Sequence, residues 1–261
     1  MGTYEKLLTE QAGGVMTITL SRPKANAFDF QMTDELLDAL RRAAGNRTVR
    51  CLVLTGSGRS FSAGQDVVVM RQEGKTTSYR QHLELTFNRI VLLIRQMEKP
   101  VIGAINGAAA GAGLGIALAT DLRIAAESAR FVFGFTILGL AGDSGVSFFL
   151  PALVGLARAT EMAFTNAPLS AQQALDFGLV NRVVPDDQLM PAAADLAAAL
   201  ASGPTQALAL TKRAFNVAAL ADLEAVLHYE GFMQEIASRT ADHQEGIAAF
   251  LEKRIPSFRG E

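Results

Sequence analysis

The sequence predicts an α/β fold that ends in an all-helical region, and three observations carry that expectation. Through residues 1–191, apolar runs rich in β-branched residues alternate with stretches whose apolar positions recur at helical spacing. From residue 192 to residue 261, Ala, Leu, Glu and Lys dominate at helical spacing and no strand-type run occurs. The 261 residues are 49% hydrophobic and 19% charged, enough to bury a substantial core, so a mainly disordered chain is excluded.

The elements follow in order. VMTITLSRP, residues 15–23, reads as a strand that Pro23 ends. The next stretch places Met32, Leu36, Leu37 and Leu40 on one helical face, with Thr33 and Asp34 near its start and Gly45 after its end. VRCLVLTGSG is a buried strand, FSAGQDV a loop, and a helix then runs to about Glu98. After Lys99-Pro100 come the strand PVIGAIN, a glycine turn and a helix up to Asp121. DLRIAAESARFVFGF supplies two short strands, and the pattern repeats once more up to LVNRVVP.

Residues 101–120 are uncharged over a length that raises the question of a membrane span. They hold Asn106, five glycines and seven alanines, which gives little transfer energy and an interrupted helix, so strand, turn and buried helix is the reading. The amino terminus lacks an apolar signal-peptide stretch, and Lys6 stands where a myristoylation motif needs Ser or Thr. The single cysteine, Cys51, sits in a strand run and cannot form an internal disulfide, so a reducing, cytoplasmic location is expected. With 24 Lys+Arg against 26 Asp+Glu and no basic run, neither nucleic acid nor a membrane surface is an expected partner.

The chemistry-bearing residues are few. His82, His228 and His243 are the only histidines and two lie in the helical tail, which argues against a His-centred triad. No Gly-x-Ser-x-Gly elbow or Walker lysine loop occurs, and GAGLG fails the dinucleotide fingerprint because Ile116 and Ala117 follow it. Two Gly/Ala turns each follow a strand: FSAGQD, residues 61–66, and INGAAAGAG, residues 105–113. Such turns serve either close packing or the aiming of backbone amides at a ligand, and a helix start near Ala112 favours negative charge.

FSAGQD and INGAAAGAGLGIALATDLRIAAESARF, followed by GLAGDSG and LSAQQALDFGLVNRVV, closely resemble the crotonase (enoyl-CoA hydratase/isomerase) superfamily over residues 4–258. The resemblance implies a ClpP/crotonase-type spiral of repeated ββα units, a C-terminal helical trimerisation region, and a homotrimer or dimer of trimers. It also implies an acyl-CoA substrate, no metal or redox cofactor, and a thioester enolate held by two backbone N–H groups. Matched by position, these belong to Gln65 and Ala112. The backbone around Ala25 and Ala63, with Asp66 nearby, would take the adenine, and Phe250 and Lys253 would reach the CoA of a neighbouring subunit. An ordinary amphipathic helix end explains Phe250 and Lys253 equally well.

Departures from the family pattern bear on the reaction. The two glutamates of hydratases fall at Gly115 and Phe135, so efficient hydration is not expected. GLAGDSG instead puts Asp143 where isomerase branches and 4-chlorobenzoyl-CoA dehalogenases carry an aspartate. Dehalogenase base and tryptophan positions fall at Asn88 and Phe135, which disfavours that reaction, and dienoyl isomerases need a second carboxylate at Phe135. Asp143 or Ser144 also suits a helix cap before VSFFLPAL. Against that, Phe133, Phe135, Leu140, Val146, Phe148 and Phe149 predict an apolar pocket that raises a carboxylate pKa. The stretch from IALATDL through LAGDSGVSFFLPALVGLARA resembles the branch of ring 1,2-epoxyphenylacetyl-CoA isomerases, which also act as Δ3,Δ2-enoyl-CoA isomerases. A single-carboxylate isomerase is therefore the expected function. The alternatives are a hydratase-like or aryl-CoA dehalogenase-like enzyme, or a non-catalytic crotonase that binds acyl-CoA or RNA.

Overall fold

The structure, a computed structural model, describes residues 4–69 and 78–260. Two sheets organise it. A six-stranded sheet has the order β1-β2-β3-β5-β7-β10, formed by β1 (Leu7–Ala12), β2 (Val15–Leu20), β3 (Cys51–Gly56), β5 (Val101–Ile105), β7 (Leu122–Ala126) and β10 (Arg182–Val184). A four-stranded sheet has the order β4-β6-β8-β9, formed by β4 (Ser60–Ser62), β6 (Ala108–Ala110), β8 (Arg130–Val132) and β9 (Leu169–Ser170).

Successive pairs of strands explain the two layers. β3, β5 and β7 pair in parallel within the large sheet, while β4, β6 and β8, each a few residues later, pair in parallel within the small one. After β6 the chain closes its unit with helix α4 (Ala112–Ala119) before entering β7. This is the spiral of ββα units expected from the sequence. The central parallel strands β3 and β5 are buried on both faces. Leu52 and Leu54 of β3 point into the main core, whereas Cys51 and Val53 pack with Ile102, Ala104 and Ile124 beneath a separate helix, α8 (Leu189–Ser202). Cys51 is accordingly buried, and burial pushes its thiol up to about 12, so it is an inert core residue.

Several elements differ from the sequence reading. No strand was expected before residue 15, yet β1 pairs antiparallel with β2 through Gly13 and Gly14, both at positive φ. Only Leu7 of LLTEQA is buried, so this edge strand carries no apolar run to announce it. Asp29 caps helix α1 (Phe30–Gly45) by accepting the Met32 N–H at 2.8 Å, and Gly45, expected after the helix, is its last residue with Asn46 as C-cap. The helix expected to reach Glu98 is divided at Thr86 into α2 (Tyr79–Leu85) and α3 (Phe87–Gln96). The next helices are α5 (Val146–Val154), α6 (Leu156–Thr165) and α7 (Ala171–Asp176). Beyond α8 come α9 (Thr205–Ala219), α10 (Leu223–Ala237) and α11 (Ala241–Glu252). Among the described residues no helix is long and apolar enough to cross a membrane; residues 101–120 fold as β5, β6 and α4.

Candidate active site

The loop before α1 and the turn after β4 build one wall of a cavity. Lys24, Ala25 and Asn26 all adopt left-handed φ, 66°, 59° and 53°, a strained run for residues with a Cβ. Asn26 holds it in place: fully buried, it donates to the Ser57 and Ser60 carbonyls at 2.9 and 2.8 Å and accepts the Arg22 N–H at 3.0 Å. Ala63 N–H donates to Ala25 O at 3.0 Å, so the two segments expected around an adenine are joined. Ala63 lines the cavity together with Lys24 and Ala27, and Ala25 itself does not.

The turn then crosses the start of α4. Gly64 has φ +84°, and a Cβ there would lie 2.8 Å from Ala110 O and 3.0 Å from Ala112 N. Only glycine lets the FSAGQD turn approach that closely. Phe28 and Gln65 form a parallel bridge in which Phe28 donates to Gly64 O and accepts from Asp66 N, which leaves the Gln65 N–H on the other side. Ala112 is the first residue of its helix and follows Gly111, whose φ 53° and ψ −129° suit glycine alone. Among the described residues neither the Gln65 nor the Ala112 N–H donates to a protein acceptor, and both residues line the cavity. The Gln65 side chain is tied down separately: Nε2 donates to Phe28 O at 2.9 Å, and Oε1 meets His82 Nε2 at 3.0 Å.

The cavity holds about 390 Å³ and is mostly apolar, with Leu83, Phe87, Phe135, Ile137, Leu138 and Leu140 in its wall. Phe133 stands behind Phe135, edge to face at 5.1 Å, and does not line the space. Phe250 of α11 lines the cavity of its own chain, a place the resemblance did not give it, and Lys253 lies outside that cavity as the C-cap of the same helix. Between the FSAGQD turn and α2, residues 70–77 lie outside the described residues.

Among the described residues two carboxylates, Asp66 and Asp143, reach the cavity, and their surroundings differ. Asp66 pairs with Arg22 at 2.8 Å and accepts the Val68 and Val69 N–H groups. Those donors hold its pKa below the ordinary value despite burial. Asp143 is buried, and its partners among the described residues are neutral: Ser144 Oγ donates to Oδ1 at 2.7 Å, and Gln234 Nε2 donates to Oδ2 at 2.6 Å. Burial outweighs both bonds and pushes Asp143 up to about 6.

The capping alternative for Asp143 and Ser144 is corrected here. Helix α5 starts after Gly145 with no side-chain cap from its own segment. Glu230 of α10 does that work instead, accepting the Gly145 N–H at 2.8 Å and the Ser147 N–H at 2.9 Å. Glu230 is itself buried and pushed up to about 7, by desolvation first and by the neighbouring Asp143 charge as a smaller cause.

The structure also explains the missing hydratase carboxylate at Gly115. A Cβ on Gly115 would lie 2.4 Å from Ser144 O and 2.7 Å from Ser144 Cβ, so Ser144 fills the space a side chain would enter. Asn88 turns away from the cavity toward α10, donating to Leu227 O at 3.4 Å. His82 and Tyr79, one turn apart on α2, do line the cavity. Burial pushes His82 down to about 4, so its ring is neutral near pH 7. Tyr79 Oη meets His243 Nε2 at 3.2 Å, while His243 Nδ1 meets Leu138 O at 2.8 Å. An Nδ1–H donated to that carbonyl makes Nε2 an acceptor for the Tyr79 hydroxyl.

Gln234, Glu230, Tyr79 and His243 escaped the sequence reading, though a signal for two of them existed. Leu223, Leu227, Glu230, Gly231 and Gln234 make the buried face of α10, so two long polar residues stand at i, i+4 on an apolar stripe.

Residues 10–261 match the family model described as enoyl-CoA hydratase/isomerase. The chain is 42% identical over 260 residues to the 1,2-epoxyphenylacetyl-CoA isomerase of Escherichia coli (strain K12), covering 98% of this chain and 99% of that protein. It is 41% identical over 259 residues to a probable enoyl-CoA hydratase of Rhodobacter capsulatus, covering 99% of each. The crystal structure of an enoyl-CoA hydratase from Mycobacterium avium subsp. paratuberculosis K-10 superposes with a TM-score of 0.89 at 34% identity, covering 98% of this chain and 100% of that one. The names differ in reaction and agree in lineage, and with the ββα spiral already in place they make this chain a member of the enoyl-CoA hydratase/isomerase, or crotonase, family.

Proposed function

We propose that this protein is a CoA-thioester isomerase that moves a proton between carbons with one carboxylate, Asp143, and one pair of backbone amides. The observation that carries this reading is the contrast between the two cavity carboxylates. Asp66 is neutralised by Arg22, whereas Asp143 faces the cavity with no cation beside it among the described residues and with Ser144 filling the space beside Gly115. Asp143 takes a proton from C2 of a β,γ-unsaturated acyl-CoA, and the electron pair moves onto the thioester oxygen. The Gln65 and Ala112 N–H groups hold that enolate oxygen. Asp143 then returns the proton to C4 as the double bond settles between C2 and C3. A carboxylate at about 6 suits both transfers near neutral pH. No metal or redox cofactor enters these steps.

Two substrate classes fit: a straight-chain β,γ-enoyl-CoA and ring 1,2-epoxyphenylacetyl-CoA, the latter supported by the likeness to the Escherichia coli isomerase. Exposed Phe215, Val217, Tyr229, Phe232, Ile236 and Phe258 on the C-terminal region support assembly as a homotrimer or dimer of trimers, which light scattering would report as three or six chain masses.

The test is turnover of 3-hexenoyl-CoA, followed by absorbance of the conjugated thioester, in wild type and Asp143→Asn. Wild-type turnover should fall by about 10³-fold in the variant while acyl-CoA still binds. Crotonyl-CoA hydration should be negligible in both. Equal isomerisation rates in the two proteins would refute the assignment of Asp143.

A further inference from the structure

We infer that Gln234, from the C-terminal helical region, is a positioning residue for Asp143: it holds Oδ2 as a fixed acceptor, so the proton that Asp143 carries resides on Oδ1 beside Ser144. The inference rests on the reading of Asp143 as the base.

The orientation of the Gln234 amide is dictated by the backbone. Its Oε1 accepts the Ala141 N–H at 3.1 Å, so the other end of the amide, Nε2, must be the group at Asp143 Oδ2. Gln234 is fully buried, and one side chain thus ties down residues 141 and 143 of the same loop. An amide nitrogen donates and does not accept, so a proton on Oδ2 facing it would have no partner. Ser144 differs. Its hydroxyl donates to ionised Oδ1 and, by rotating, accepts from protonated Oδ1. The two oxygens of one carboxylate therefore have different capacities: Oδ2 orients, and Oδ1 exchanges.

Among the described residues, the charged and titratable groups around Asp143 are Glu230, one turn before Gln234 on α10, and Tyr79 on α2, whose phenol is itself held up by burial and by the Asp143 charge. His243 of α11 is neutral through burial and joined to Tyr79. None of these supplies a positive charge. Ser144 and Gln234 donate to the carboxylate and favour its ionised form against desolvation. Loss of the Gln234 donor must therefore raise the pH at which Asp143 ionises.

The experiment is a difference-infrared titration of the Asp143 carboxylate, each protein measured against the same background carrying Asp143→Asn, for wild type, Gln234→Leu and Gln234→Glu. It is paired with kcat/KM against pH for 3-hexenoyl-CoA. Gln234→Leu should move the infrared midpoint and the acid limb of kcat/KM upward together by about one unit or more, with most activity regained at high pH. Gln234→Glu keeps an acceptor for the Ala141 N–H and the size of the side chain, so it remains foldable where Leu is not. Facing Asp143 with a second carboxylate, it should move the midpoint further. An unmoved midpoint in either folded variant would overturn the inference, even if melting temperature falls. A moved midpoint with no wild-type turnover would sink the isomerase reading and leave the role of Gln234 intact.

Discussion

Glycine at position 115 limits which chemistry the cavity can hold. Ser144, at φ 57°, is fully buried and its hydroxyl is engaged by Asp143, so the atoms that would meet a side chain at 115 are not free to retreat. Restoring the hydratase-type carboxylate by Gly115→Glu should therefore push on Ser144 and on the Asp143 loop. We expect crotonyl-CoA hydration to stay absent, 3-hexenoyl-CoA isomerisation to fall, and stability to drop by about 1–3 kcal/mol or more through overpacking, read by calorimetry. Appearance of hydration at an unchanged melting temperature would show that the two arrangements are interchangeable. At this scale the sequence pointed to Asp143, Gln65 and Ala112, which the fold brings to one cavity, because they sit in local motifs. It hid Gln234, 91 positions from its partner, because a hydrogen bond between a loop and a distant helix leaves no local pattern.

Helix α5 illustrates how one element depends on another. Its first N–H groups have no cap in their own segment, and the Glu230 carboxylate from α10 satisfies two of them. Glu230→Ala leaves the Gly145 and Ser147 N–H groups without an acceptor in a buried place, which should cost about 2–4 kcal/mol in denaturant unfolding. Because Gly145 follows Ser144 and Asp143 directly, kcat should fall as well. Glu230→Gln, which keeps one acceptor oxygen, should recover part of both. The legibility of elements followed the same division between local and distant causes. β2, β3 and β5 announce themselves by β-branched, apolar runs. β4 and β6, SFS and AAA, have little strand propensity, and they extend only because each pairs in parallel within the small sheet. α4 was legible from Gly111 and the apolar run after it, whereas the break at Thr86 lay inside a continuous helical pattern.

Across the whole molecule, the cavity draws on residues from Lys24 to Phe250, and the C-terminal helices supply Glu230, Gln234 and His243 around Asp143. Such a site keeps an ionisable group where the fold would favour a neutral one, and the consequence is a pH-dependent stability. Asp143 is raised from an unfolded value of 3.8 to about 6, so the folded state binds its proton more tightly than the unfolded chain does. Native protein then holds more protons between these values, and stability falls as pH rises through them. The loss approaches about 3 kcal/mol above pH 7 and vanishes below pH 4. Glu230 acts with the same sign up to about 7, and it is present in both proteins compared below. Asp143→Asn removes the buried charge yet keeps both hydrogen bonds: its amide oxygen accepts from Gln234, and its nitrogen donates to the Ser144 hydroxyl. The variant should therefore melt several degrees above wild type at pH 8, and the two should converge near pH 3.5. Scanning calorimetry at the two pH values decides the matter. A variant less stable than wild type at pH 8 would mean that the carboxylate strengthens this fold, and that its burial is not a cost borne for the chemistry.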